Sequence, residues 1–244
     1  MNISRRRVLA GAAALSGGLA ACTVSAPKPV KRIAITMDDF NLNFNGRLDP
    51  LARNQAILDA FNAHNHKAAG FVTGRFADSD LGRRVLRSWN AAGHMLGNHT
   101  YSHLNSSDED AELIKADILK NHEFMMGFEG YEPYFRFPFL AEGGTAEKVT
   151  QYRQFFDKHG FKNAPVTIDS IDWSTTDRME KRIKAAPDAD TSAYRNYYVK
   201  AVLEIAAYKH GLAGRLGYPN MPHSLLMHHN ILNGLYLRDV MDAL

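Results

Sequence analysis

The sequence predicts an α/β fold, a distorted and incomplete (β/α) barrel, on three observations. From Arg32 onward short apolar runs alternate with amphipathic stretches, the pattern of a parallel sheet flanked by helices. Only six of those runs read clearly as strands. The chain has 244 residues, and setting aside an N-terminal segment of 21 leaves 223, short of the ~250 that a closed eight-fold barrel takes.

The strand candidates, in order, are Arg32–Met37, Ala68–Thr73, His94–Asn98, Tyr134–Phe139, Asn163–Ile168 and Ser224–His228. A helix is expected over Asp49–His64, where Leu51, Ile57, Leu58 and Phe61 share one face. A second is expected over Asp78–Ala92. A third begins at the Ser106–Glu109 cluster, a helix-start composition, and groups Ala111, Ile114, Ile118 and Met125. Further helices are expected over Arg195–His210 and Asn233–Leu244. Ser174–Pro222 has the least regular pattern, and a helical piece of it is expected over the barrel mouth.

Composition sets the limits. The chain is 45% hydrophobic and 23% charged, which excludes a disordered, collagenous or low-complexity protein. The formal charge of +3 comes entirely from Arg5, Arg6 and Arg7, because residues 1–21 hold no acidic group and the remainder sums to zero. A neutral remainder gives no electrostatic reason to expect nucleic acid or an anionic membrane as partner. One cysteine excludes an intrachain disulfide and a Cys-based zinc cluster.

That cysteine has a place. Residues 1–21 carry a positive start, an apolar stretch from Val8 to Ala21 and small residues at its end, the makeup of a secretory signal. The stretch is too short to span a ~30 Å hydrocarbon core. Ser4–Leu9 resembles the twin-arginine export motif, and Leu19–Cys22 resembles a bacterial lipobox, which makes Cys22 the lipidation candidate. The plainer alternative is an ordinary signal with Cys22 incidental. Residues 22–30, with Pro27 and Pro29, read as a tether, and residues 31–244 as the folded domain. The expected location is the periplasm or cell surface.

Five segments concentrate residues that an inert α/β core does not need. Four of them close a predicted strand, the end where parallel α/β folds build sites. Asp38 and Asp39 follow the first strand, and the two carboxylates converge only if the chain turns there. His99 and His103 stand four apart, a spacing that brings two imidazoles onto one metal from a helical turn. Thr100 occupies the place of the Glu in a His-Glu-x-x-His protease pattern. Arg136 sits among aromatics and must find a carboxylate or reach solvent. Asp169, Asp172 and Trp173 follow an apolar run, and His228 and His229 close the last strand. Taken alone, each has an ordinary structural explanation, a solvated turn for the carboxylates or a satisfied core histidine for His228.

Together and in this order, Thr36–Phe40, His99–His103, Arg136–Phe139, Asp169–Trp173 and Leu226–His228 resemble the polysaccharide deacetylases of carbohydrate esterase family 4, the NodB-homology enzymes. The resemblance runs from about Arg32 to the C-terminus and implies that family's distorted barrel. It implies Asp39, His99 and His103 as ligands of one divalent ion, most often zinc, with cobalt, nickel or iron suited to the same donors. It also implies Asp38 as general base held by Arg136, and His228 as general acid tuned by Asp172 or Asp169. The Phe139 N–H would face the oxyanion, and Trp173 and Leu226 would wall the acetyl methyl group. Two departures stand out. Phe40 replaces a glycine and is expected at the mouth of the groove, and His229 stands where many members carry an acid. The other histidines, His64, His66, His122, His159 and His210, are expected on the surface without partners.

The resemblance implies an N-deacetylase acting on a glycan: chitooligosaccharide, peptidoglycan or exopolysaccharide. Two alternatives are a metal-dependent hydrolase of a non-sugar C–N bond, such as a cyclic imide or ureide, and a catalytically silent surface lipoprotein that binds glycan. The expected partners are a glycan substrate and, only through the lipid anchor, a membrane.

Overall fold

The computed structural model describes residues 32–244, so the export segment, the tether and Cys22 lie outside the described residues. Seven strands follow in chain order: β1 Ile33–Asp39, β2 Ala69–Val72, β3 Met95–Asn98, β4 Tyr131–Phe135, β5 Lys162–Asn163, β6 Ile168–Asp169 and β7 His223–His228. They form one parallel sheet in the order β5-β4-β3-β2-β1-β7-β6. The two short outer strands do not pair with each other, so the sheet curls without closing. This is the incomplete barrel that the strand count predicts. Central β1 is buried along most of its length and reads as a near-continuous apolar run, as a strand covered on both faces requires.

Among the described residues eight helices cover the sheet: α1 Pro50–Ala63, α2 Gly74–Ala77, α3 Asp80–Ala91, α4 Ala111–Met125, α5 Ala146–His159, α6 Asp172–Ala185, α7 Ser192–Arg215 and α8 Ile231–Ala243. Caps set several boundaries. Asp49 accepts from the N–H groups of Leu51 and Ala52, both at 2.9 Å, ahead of Pro50. Asp110 caps α4 in the same way. Ile57 and Phe61 of α1 join Met37, Val72, Trp89 and Met227 in the main core. Among the described residues no helix is long and apolar enough to cross a membrane.

Several expectations change. The helix expected over Asp78–Ala92 starts at Asp80, because Ser79 takes an extended conformation and caps α3 through Gly82, and the short α2 precedes it as a separate turn. The strand over Tyr134–Phe139 starts at Tyr131 and ends at Phe135, since Pro138 opens a tight turn with Phe139 and Leu140 at positive φ. The strand over Asn163–Ile168 splits into β5 and β6, which lie on opposite edges of the sheet. Helix α5 was not anticipated; it is capped by Thr145, stopped by left-handed Gly160, and packs Tyr152, Phe155 and Phe156 against Phe135 and Phe137. The irregular stretch after Ser174 folds as α6 and α7. Of the two, α6 reaches the barrel mouth, whereas α7 packs against α6 and α8.

Candidate active site

The C-terminal ends of β1, β3, β6 and β7 open into one cleft of about 640 Å³, within the range of small-molecule sites. Asp38, Asp39, His99, His103, Phe139, Asp169, Trp173, Leu226 and His228 all line it. Arg136 and Asp172 do not; each is almost wholly buried and stands behind a lining residue.

Both Asp39 and Phe40 have positive φ, 76° and 60°, so the strand turns where the two carboxylates leave it. Asp39 Oδ1 then lies 3.0 Å from His103 Nε2 and 3.5 Å from His99 Nε2. One ligand atom from each of the three residues falls within 4.8 Å of the others. The histidines meet without a helical turn. His99–His103 is irregular, bent by left-handed Thr100 and His103 and tied by Asn98, whose Oδ1 accepts from the Thr100 N–H at 2.9 Å.

His99 Nδ1 donates to the Arg136 carbonyl at 2.8 Å, which fixes the ring and leaves the Nε2 lone pair facing Asp39. Burial holds His99 below its ordinary pKa, so the ring is neutral as a metal ligand must be. Burial pushes the Asp39 carboxyl up, but the neighbouring imidazoles, His103 foremost, outweigh it and hold the group well below the usual carboxylate range. Asp39 Oδ1 is buried with no donor aligned on it. A nitrogen, a nitrogen and an ionised oxygen around an unsatisfied atom form a donor set that fits a divalent ion.

Asp38 has a different neighbour. Its Oδ1 accepts from Arg136 Nη1 at 2.9 Å. The guanidinium also donates to Thr36 Oγ1 at 2.6 Å and to the Ala164 carbonyl at 3.1 Å, and lies 4.2 Å from the Phe71 ring. Arg136 therefore finds the carboxylate partner its burial requires. His99 Nε2 is 3.8 Å from Asp38, farther than from Asp39.

His228 Nδ1 donates to Asp172 Oδ1 at 2.8 Å. The other oxygen of Asp172 accepts from the His228 N–H, Asn230 Nδ2 and Asn233 Nδ2 at 2.7, 2.9 and 2.7 Å. Tyr198 of α7 donates in turn to Asn233 Oδ1 at 2.8 Å. Burial pulls His228 down, but the charge and hydrogen bond of Asp172 raise it to about 10. Asp172, not Asp169, contacts His228; Asp169 accepts from the Ile171 N–H at 2.8 Å.

Exposed Trp173 and Phe139 flank the opening, with the Phe139 ring 4.7 Å from that of His103. Leu226 lies deeper and is buried. Phe40 is not at the mouth. Its positive φ turns the ring into the core, fully buried against Trp89 and His229. His229, which stands where the resemblance places an acid, is also buried, and burial together with Arg53 lowers its pKa to about 3, so it is neutral. Two of the supposedly unpartnered histidines are paired: His64 with Asp242 at 2.9 Å and His122 with the Tyr131 hydroxyl at 2.7 Å.

One wall escaped sequence reasoning. Asn41, Asn43, Asn45, Arg53, Thr176, Asp177 and Glu180 line the cleft beside the expected residues. Arg53 reaches from α1 to the carbonyls of Asn41 and Asn43, at 2.5 and 3.2 Å, and Asn45 donates to Glu180 of α6. The alternating asparagines immediately after the paired Asp were the available signal.

Comparisons with known proteins bear on the family and the fold. A family model described as polysaccharide deacetylase matches residues 25–162, more than half of the chain. A peptidoglycan-N-acetylglucosamine deacetylase of Bacillus cereus is 28% identical over 152 residues, covering 61% of this chain and 49% of the relative. A chitooligosaccharide deacetylase of Azorhizobium caulinodans is 29% identical over 136 residues, covering 54% and 60%. The chain thus spans about half the length of the curated relatives it matches. A solved polysaccharide deacetylase of Bacillus cereus superposes with a TM-score of 0.62 at 18% identity, covering 88% of this chain and 87% of that one. A family 4 carbohydrate esterase pseudoenzyme from Bacillus anthracis superposes with a TM-score of 0.60 at 19% identity, covering 88% and 60%. At these identities the superpositions establish the fold. On the family-model match, supported by that fold, the chain belongs to the polysaccharide deacetylase family.

Proposed function

We propose that this chain is a metal-dependent N-deacetylase that hydrolyses acetamido groups of an N-acetylated glycan. The reading rests on one observation above all. Three partnerships of different chemistry converge on a single cleft: Asp39 with His99 and His103, Asp38 with Arg136, and His228 with Asp172. Chitooligosaccharide, peptidoglycan and exopolysaccharide are the candidate polymers. Residues 1–21 act as an export signal with Cys22 lipidated and residues 22–30 as the tether, so the domain works in the periplasm or at the cell surface.

Asp39, His99 and His103 hold the ion, zinc first among the candidates. A divalent ion at such a site supplies Lewis acidity to the acetamido carbonyl and to the attacking water. Asp38 takes the proton from that water, and Arg136 holds its carboxylate in place through a charge-assisted hydrogen bond. The Phe139 N–H donates to the developing oxyanion. As the C–N bond breaks, His228 gives its proton to the departing nitrogen, and Asp172 keeps the ring protonated and oriented until then. Water contributes the hydroxyl to the acetate, and the sugar keeps a free amine. Trp173 and Leu226 flank the methyl group and favour a small acyl chain.

A silent glycan-binding role is favoured by the pseudoenzyme among the fold's neighbours, while the retention of a competent side chain at every proposed position supports catalysis. A fluorescamine assay for new amines on chitopentaose and on peptidoglycan fragments, with and without chelator, separates the readings. Chelator-sensitive amine release is expected. Glycan binding without amine release supports the silent role, and ring opening of cyclic imides or ureides, followed separately by ultraviolet absorbance, with no amine release from either glycan supports the non-sugar hydrolase.

A further inference from the structure

The turn that presents Asp39 has an unusual construction. Asp39 and Phe40 are consecutive non-glycine residues at positive φ, a region in which a Cβ crowds the backbone. The resemblance places a glycine at position 40, and glycine takes this conformation freely. Here the chain carries one of the bulkiest alternatives instead.

The surroundings of Phe40 explain how such a turn persists. Its ring is fully buried, edge-on to Trp89 at 4.9 Å and stacked on His229 at 5.0 Å with 20° between the planes. Below it lies Gly70 of β2, where a Cβ would stand 2.5 Å from the Phe40 ring carbon Cζ. Trp89 Nε1 donates to Asn54 Oδ1 at 2.9 Å, and His229 Nε2 lies 3.2 Å from the same oxygen. The two rings against Phe40 are thereby fixed by one side chain. The backbone is tied as well: the His229 N–H donates to the Asp38 carbonyl at 3.1 Å and the Thr73 N–H to that of Asp39 at 3.2 Å.

We propose that Phe40 is a positioning residue: its buried ring, seated on Gly70 between Trp89 and His229, locks the left-handed turn that aims the Asp39 carboxylate at His99 and His103. A glycine permits this turn; the phenylalanine enforces it. Phe40 and Gly70 then form one device, since the ring occupies the space that a side chain at position 70 would need. The proposal rests on the reading of Asp39, His99 and His103 as metal ligands.

The test compares the full chain with Phe40→Ala, Phe40→Gly and Gly70→Ala, measuring zinc affinity by titration calorimetry and folding by circular dichroism well below each melting temperature. Both residue-40 variants lose the ring, but only alanine keeps a Cβ in the left-handed turn. Phe40→Ala is expected to weaken zinc binding by about tenfold, and Phe40→Gly to recover most of that loss although it lacks the ring too. Gly70→Ala, which displaces the ring without touching the turn, is expected to weaken zinc similarly in the native background and not at all in Phe40→Gly. A merely structural Phe40 gives another result: lower melting temperatures with unchanged zinc affinity in every folded variant, and this overturns the proposal. Alanine and glycine binding zinc equally well overturns it too. If Phe40→Ala does not fold, Phe40→Leu replaces it, with a smaller loss of affinity expected and none counting against the proposal. A native chain that binds no zinc or other divalent ion refutes the metal reading itself, and the proposal with it.

Discussion

Replacing Asp172 with asparagine keeps the shape of the side chain and removes its charge. In the native fold that carboxylate is fully buried and accepts four hydrogen bonds, at 2.7 to 2.9 Å, two of them from His228. An amide at this position turns one acceptor into a donor facing donors, and it leaves the imidazolium without its counter-charge. Removing one member of a buried pair costs about 3–5 kcal/mol. Burial alone drives His228 below 6.5, and Asp172 is the main reason it rises to about 10. The pH dependence follows from that sign. Because the folded pKa exceeds the unfolded one, the stabilisation is complete below pH 6.5 and is lost as pH rises through about 10. The native chain's advantage in unfolding free energy over Asp172→Asn should therefore shrink across that window. Turnover should fall by about 10²–10⁴-fold, the usual contribution of a general acid, and the alkaline limb of the pH–rate profile should move to lower pH. Amine release measured from about pH 5 to about pH 10, alongside denaturant unfolding, reads both effects. An unshifted alkaline limb refutes His228 as the acid tuned by Asp172. A stability loss that does not vary with pH refutes the charge argument.

Arg136→Met leaves Asp38, Thr36 and the Ala164 carbonyl facing an apolar chain, and a loss of about 3–5 kcal/mol in unfolding free energy is expected; Arg136→Lys should not restore turnover, because one ammonium cannot span these partners. His94 and His229 are buried with pKa values of about 4 and about 3, so each folds neutral and must gain a proton on unfolding below pH 6.5. Stability should fall with acid by about 1.4 kcal/mol per pH unit for each, until the folded pKa is reached, and His94→Gln should flatten part of that slope in unfolding titrations. Cys22→Ala should abolish fatty-acid labelling and move the chain to the aqueous phase, and continued labelling would contradict lipidation at Cys22.

Much of this architecture is readable in the sequence because apolar runs such as Ile33–Met37 and Leu225–Met227 have few alternatives to central parallel strands. A polar cap such as Asp49 also marks a helix start locally, whereas α4 is capped by Asp110, just past the Ser106–Glu109 cluster where its start was expected. Helix α5 was harder, since its aromatic face is spaced around charged residues and its partners Phe135 and Phe137 lie in another segment. The site divides in the same way. Asp38, Asp39, His99, His103 and His228 stand at strand ends, where chain order already indicates convergence. The direction of Phe40 depends on backbone sign, which no composition encodes, and on room above Gly70, which belongs to the next strand. Asn233 acts on Asp172 across the fold, far away in sequence, and Arg53 reaches back from α1 to the Asn41–Asn45 loop, a contact that no periodic pattern marks.

The two adjacent carboxylates provide the most direct measurement. Asp38 and Asp39 differ by one position, yet one meets Arg136 and the other meets His99 and His103. Metal content by elemental analysis, on protein purified without nickel affinity, should be measured together with amine release for Asp38→Asn and Asp39→Asn. Asp38→Asn is expected to keep its metal and lose about 10²–10⁴-fold in turnover. Asp39→Asn is expected to lose metal and to regain some activity in excess zinc. Metal released by Asp38→Asn and retained by Asp39→Asn would reverse the assignment, and near-native rates in both would show that the cleft is not the site of catalysis.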